Sequence, residues 1–225
     1  MEWRDLLFMH WAVPADSLRS LIPPSLELDL FDGRAWLGVV PFDMRHVRPH
    51  YLPSVPWLSN FPELNLRTYV TAQGRPGVWF FSLDAHNPVA VRLARATFNL
   101  PYFDAEMSCE VKGESVHYRS ERTHKGAKAA SFVGRYQPVG ETQRGDDLTH
   151  FLTERYCLYS ANSKGEVRRG EIHHRMWSLQ PAELDLETSY SAMTEQIGVT
   201  LPDEPPLLHF SKRLDVLAWL PHKIG

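Results

Sequence analysis

At 225 residues, with 43% hydrophobic and 23% charged positions, the chain has an ordinary globular composition and the length to bury a core without disulfide staples. Its formal net charge of −3 argues against a nucleic-acid partner, which selects an excess of Lys and Arg. Two distant cysteines, Cys109 and Cys157, point to a reducing compartment. No apolar run reaches the roughly 18–20 residues of a membrane span, and the charged N-terminus does not read as a signal peptide. A single cytoplasmic domain with no membrane contact is therefore expected.

Pro14 opens a short helix over 14–22, closed by Pro23-Pro24, with Leu18, Leu21 and Ile22 on one face. Leu26, Leu28 and Leu30 alternate with Glu27 and Asp29 as a strand, and Asp32-Gly33 signals a hairpin into the apolar run Ala35 to Phe42. Residues 46–62 interleave Pro49, Pro53, Pro56 and Pro62 with aromatics, a density that excludes a helix and reads as a functional loop or as a flap over the core.

From Glu63 to Thr71 the alternation is clean: Leu64, Leu66 and Val70 on one face, Glu63, Asn65, Arg67 and Tyr69 on the other. Val78 to Leu83 is apolar on both faces and belongs in the middle of a sheet. Asn87-Pro88 is a helix start, cap then proline, for a helix to about Asn99 with Val89, Leu93 and Ala96 inward. Strands follow around 102–111, 115–122, 129–137, 166–179 and 207–219. A helix from Asp147 to about Leu158 interrupts them, and a short helix fits near Ser191 to Ile197. Runs of strands with isolated helices describe an α+β domain, mostly antiparallel, built on a barrel or sandwich.

The sequence carries no GxGxxG, P-loop, HExxH, EF-hand loop or GxSxG elbow. Of eleven histidines, His173 and His174 are adjacent and would point to opposite faces of a strand, so no metal site is expected. His10, beside Trp11, is the best candidate for a single histidine facing a cavity, where it could move protons near neutral pH. The basic stretch Arg119 to Lys128 reads as a solvated hairpin end. One of Glu154 and Arg155 faces strands rather than water; the sequence does not say which.

Several stretches in order, among them HWAVPADSLRSLIPPSLELDLFDGRAWLGVVPF (10–42), ELNLRTYV (63–70), VWFFSLDA (78–85), LPYFDAEM (100–107), EIHHRMWSLQPAEL (171–184) and LLHFSKRLDVLAWLP (207–221), resemble the YqjF-like family of uncharacterised bacterial proteins. That resemblance implies the acetoacetate decarboxylase-like fold, a closed, mostly antiparallel β structure around a cavity, with a few peripheral helices. In acetoacetate decarboxylase a lysine forms a Schiff base with the substrate ketone, and a neighbouring lysine drives off its proton. The matching stretch here is Leu100-Pro101-Tyr102-Phe103, and no lysine precedes Lys112. The resemblance places that enzyme's N-terminal arginine at about Trp11 and its acidic pocket residue near Glu63, or at Asn65.

Two functions stay open. The first is a small-molecule site for a carbonyl or carboxylate compound, without Schiff-base chemistry and with no cofactor called for. In it Glu63 is an acid or base and Tyr102 an oxyanion donor, while His10, Trp11, Asn65 and Arg67 bind the ligand, Arg67 as a carboxylate clamp. The second is a non-catalytic interaction or scaffold protein with a filled barrel, in which the polar face of 63–69 is a solvated sheet face. A homo-oligomer is compatible with either.

Overall fold

The computed structural model describes residues 1–48 and 56–224. Along the chain lie β1 (Glu2–Val13), α1 (Ala15–Arg19), β2 (Glu27–Leu28), β3 (Ala35–Arg45), α2 (Pro56–Ser59), β4 (Phe61–Ala72), β5 (Arg75–Ala85) and α3 (Pro88–Phe98). They are followed by β6 (Tyr102–Lys112), β7 (Ser115–Arg122), β8 (Ser131–Pro138), α4 (Asp147–Thr153), β9 (Cys157–Ala161), β10 (Val167–His174), β11 (Gln180–Leu186), β12 (Leu207–Ala218) and β13 (His222–Lys223). Two 3-10 turns, Tyr190–Met193 and Glu195–Ile197, precede β12.

The strands form one sheet that closes on itself in a ring-like way without becoming a regular barrel. The pairing of β4 with β5 closes the ring β4-β5-β6-β7-β8-β11-β12-β1-β3. Pairings β5–β9, β9–β10 and β10–β12 close a second ring across the other side of the same wall, β12-β1-β3-β4-β5. Pairing is antiparallel except where β5 meets β6 and β9. This is the expected α+β, mostly antiparallel architecture with few helices. Among the described residues no helix is long and apolar enough to cross a membrane.

The shared wall explains its sequence. A strand covered on both faces carries a continuous apolar run rather than an alternation, and β3, with every residue from Ala35 to Met44 buried, is such a strand. One face of the wall packs into the first ring, where Leu7, Met9, Trp11, Leu64 and Leu66 meet Tyr118, Phe132, Tyr136 and Phe210. The other face carries Phe8, Val40 and Phe42 against Val91, Leu179 and Trp177. Asp32 and Gly33 both take positive φ, 49° and 74°, so the expected tight turn forms. The Asn87 side chain accepts from the N–H groups of Val89 and Ala90, and Asn99 closes α3 in the left-handed region.

The structure corrects several expectations. The first helix is shorter than 14–22, and β2 is two residues long and pairs with β4 rather than forming a long hairpin arm with β3. Residues 49–55 of the Pro-rich segment lie outside the described residues. Beyond them α2 does form one helical turn, with Pro56 at its first position, where a missing N–H costs nothing. The stripe Val89, Leu93 and Ala96 of α3 faces solvent, and Val91 is buried instead. The expected helix to Leu158 stops at Thr153, because residues from Cys157 on gain a parallel partner in β5 and an antiparallel one in β10. The strand expected over 166–179 ends at His174, and β11 follows as a separate strand.

Candidate functional site

The polar face read from β4 is buried, not solvated. Glu63, Asn65, Arg67 and Tyr69 lie on the face of the wall opposite Leu64 and Leu66, and Arg67, at 9% exposure, is the most accessible of the four. Antiparallel pairing to β3 and β5 covers both edges of β4, and a register shift opposite Leu66 and Arg67 leaves Phe81 as the extra residue on β5. On β1, His10 projects to the same side as Arg67. Gly38 on β3 makes this fit: a Cβ there would stand 3.1 Å from His10 Cδ2 and 3.3 Å from Arg67 Cγ.

Two hydrogen bonds organise the cluster. Tyr102 donates to Glu63 Oε2 at 2.7 Å, and His10 Nε2 lies 2.6 Å from the Tyr69 hydroxyl. The Arg67 guanidinium carbon sits 5.2 Å from the Phe8 ring centre and 5.8 Å from that of Tyr69. Trp177 closes on Phe8 edge-on at 4.9 Å, and Phe151 of α4 covers Tyr69 at 5.6 Å. Burial pushes the Glu63 carboxyl up to about 7, against opposing hydrogen bonds from Tyr102 and Asn65. Burial also holds His10 well below its ordinary range, aided by the charge of Arg67, so its imidazole is neutral at neutral pH. Burial raises the Tyr102 phenol, and the neighbouring Glu63 adds to it, so Tyr102 stays a donor.

What this cluster leaves unpaired is its chemical signature. His10 Nδ1, Asn65 Oδ1 and Arg67 Nε are buried without a hydrogen-bond partner among the described residues. No carboxylate forms an ion pair with Arg67 among the described residues, and residues 49–55 contain no Asp or Glu. Glu63 turns to Tyr102 and Asn65 instead. The Arg67 guanidinium thus rests on the Phe8 and Tyr69 rings rather than on a carboxylate.

These side chains fall into two groups on one strand face: Glu63 with Tyr102 and Asn65, and His10 with Tyr69 and Arg67. The structure separates Trp11, which faces the first ring with Leu7 and Met9 and meets the Tyr190 ring at 5.5 Å. Adjacent residues of a strand point to opposite faces, so His10 and Trp11 cannot share one chamber. Sequence reasoning missed Phe8, Gly38, Trp177 and His209. The last belongs to β12, faces Phe8 in the β1–β12 pairing, and adds to the lowering at His10. It also missed a buried pair on the first-ring side. Arg122 is not solvated: its Nε lies 2.7 Å from Asp84 Oδ1, both side chains are almost inaccessible, and Arg122 packs 4.2 Å over Phe103. Of the pair Glu154 and Arg155, Arg155 is the buried one, ion-paired to Asp29 and stacked on Phe151 and Tyr69. Among the described residues no group of three or more His, Cys, Asp or Glu side chains could hold a metal.

A model of an uncharacterized conserved protein, DUF2071, matches residues 1–215. The chain belongs to that family. It is 46% identical over 219 residues to the uncharacterized protein YqjF of Bacillus subtilis (strain 168), covering 96% of this chain and 88% of that one. Among solved structures it is similar to acetoacetate decarboxylase from Legionella pneumophila, with a TM-score of 0.62 at 12% identity over 100% of this chain and 88% of that one. The enduracididine biosynthesis enzyme MppR, solved in complex with pyruvate, is similar with a TM-score of 0.62 at 11% identity, over 97% and 88% of the two chains. At these identities the DUF2071 member and the two enzymes share a fold; chemistry has to be argued from the residues.

Proposed function

We propose that the chain binds a small compound carrying a carboxylate and a carbonyl, a keto acid, on the polar face of β4. The observation that carries this reading is Arg67: a buried guanidinium with no carboxylate partner among the described residues, next to unpaired polar atoms of His10 and Asn65. Arg67 takes the ligand carboxylate in its two-pronged fork. His10 Nδ1, which carries the proton when Nε2 accepts from the Tyr69 hydroxyl, donates a further hydrogen bond to that carboxylate.

Four positions along the strand from Arg67, a protonated Glu63 and the Tyr102 hydroxyl are donors for charge that develops on the carbonyl oxygen of a ligand long enough to reach both ends. A carboxyl with a pKa of about 7 also suits a group that accepts and returns a proton near neutrality, so enolisation or a related proton transfer is the reaction class this pair supports. Imine chemistry is outside it, because Tyr102 stands where the resemblance to acetoacetate decarboxylase puts the lysine. The pyruvate held by MppR supports a keto acid as ligand class.

The second reading, a filled and non-catalytic ring, draws on the rings of Phe8, Tyr69 and Trp177 closing around Arg67. Thermal shift across pyruvate, 2-oxobutyrate, 2-oxoglutarate and the matching hydroxy acids separates the two. Stabilisation by one or more acids that disappears in Arg67→Ala is expected. A flat response across the panel would favour the filled ring.

A further inference from the structure

β5 changes partner along one edge. It pairs with β9 at Val78 and Trp79, and with β6 only from Leu83 on. Between those points the two neighbours diverge, and residues 80–82 face a fork in the sheet. Where parallel neighbours of one strand separate, the backbone opens a crevice, which is the usual origin of ligand sites in open sheets. Here the crevice has a volume of about 470 Å³ and reaches both faces of the sheet, with Trp79, Phe81 and Tyr159 on one side and Phe80 on the other.

The walls mix aromatic rings with polar groups, Asn99, Asn162 and Ser163 among them, and two further polar features give the slot a chemical preference. Ser160, the first β9 residue past the pairing with β5, lines the crevice; it is 2% exposed and its Oγ has no hydrogen-bond partner. Among the described residues Arg95 of α3 is the one charged side chain that lines it, steadied at the rim by a 3.0 Å hydrogen bond to the Tyr102 carbonyl. None of His10, Glu63, Asn65 or Arg67 lines it.

From the volume, the aromatic walls, the orphan hydroxyl and the single cation we infer that the fork is a second binding site, for a flat, ring-bearing carboxylate. The ring lies against Trp79 and Phe81, the carboxylate is directed to Arg95, and Ser160 takes a polar substituent or ring heteroatom. This assignment is independent of the Arg67 site.

The test uses the full chain with indole-3-carboxylate, benzoate and cinnamate as probes, read by ligand-observed NMR and by quenching of tryptophan fluorescence. Saturable binding of indole-3-carboxylate is expected, weakened roughly three- to ten-fold by Ser160→Val, the scale of one lost hydrogen bond. Arg95→Gln, on an exposed helical position where folding is not at risk, is expected to weaken all three probes by at least as much. Arg67→Ala is expected to leave this binding unchanged. Absence of saturable binding, binding untouched by both Ser160→Val and Arg95→Gln, or binding lost in Arg67→Ala would each overturn the assignment.

Discussion

Replacing Glu63 by Gln removes an ionisable group while keeping an oxygen that accepts from Tyr102. Burial raises the Glu63 carboxyl from its ordinary 4.5 to about 7. Below the lower value both folded and unfolded chains are protonated there, and the buried group costs nothing extra. Between the two values the unfolded chain releases the proton and the folded chain keeps it, so stability falls as pH rises, and above about 7 the full cost is present. At roughly 1.4 kcal/mol per pH unit, that interval comes to about 3 kcal/mol. Urea unfolding of both proteins at about pH 4.5 and about pH 8 isolates it, because other titrating groups cancel in the difference. Glu63→Gln is expected to match the parent at the lower pH and to exceed it by about 3 kcal/mol at the higher. A difference independent of pH would refute the reasoning. So would a parent that gains on the variant at high pH, the mark of an ionised Glu63 paired with Arg67.

Borohydride treatment in the presence of acetoacetate should leave the protein mass unchanged by mass spectrometry, since the position of the Schiff-base lysine reads Tyr102; an adduct on any lysine would contradict this. Arg122→Ala strands the buried Asp84 carboxylate and should cost about 3–5 kcal/mol in chemical denaturation, the scale of a broken buried pair. A change below about 1 kcal/mol, the worth of a surface bridge, would show the pair to be solvated. Gly38→Ala places a methyl against His10 and Arg67 and should weaken keto-acid binding more than it lowers the melting temperature. Equal binding in calorimetry would count against the site.

The polar face of β4 was legible because Glu63 to Arg67 alternate polar and apolar without a break, and Leu64, Leu66 and Val70 fix the register of the rest. The caps of α3 were legible for a similar local reason: Asn87-Pro88 states its own geometry. Its buried face was not, since Val89, Leu93 and Ala96 form a true apolar stripe that α3 turns outward at the rim. β9 carries helix-compatible residues directly after a real helix, and only pairing to β5 and β10 makes it a strand. Arg122 looks like part of a charged hairpin until Asp84, 38 residues away in sequence, is brought beside it. Trp11 shows the opposite failure. The resemblance put the family's arginine position there, while plain alternation from His10 already placed its side chain on the other face.

Arg67 is proposed to hold a carboxylate. Isothermal titration of pyruvate into the parent protein, Arg67→Ala and Ser160→Val tests it most directly. One-site binding is predicted for the parent and for Ser160→Val, with the heat signal lost in Arg67→Ala. Pyruvate bound equally well by Arg67→Ala, or by none of the three proteins, would show that Arg67 holds no carboxylate.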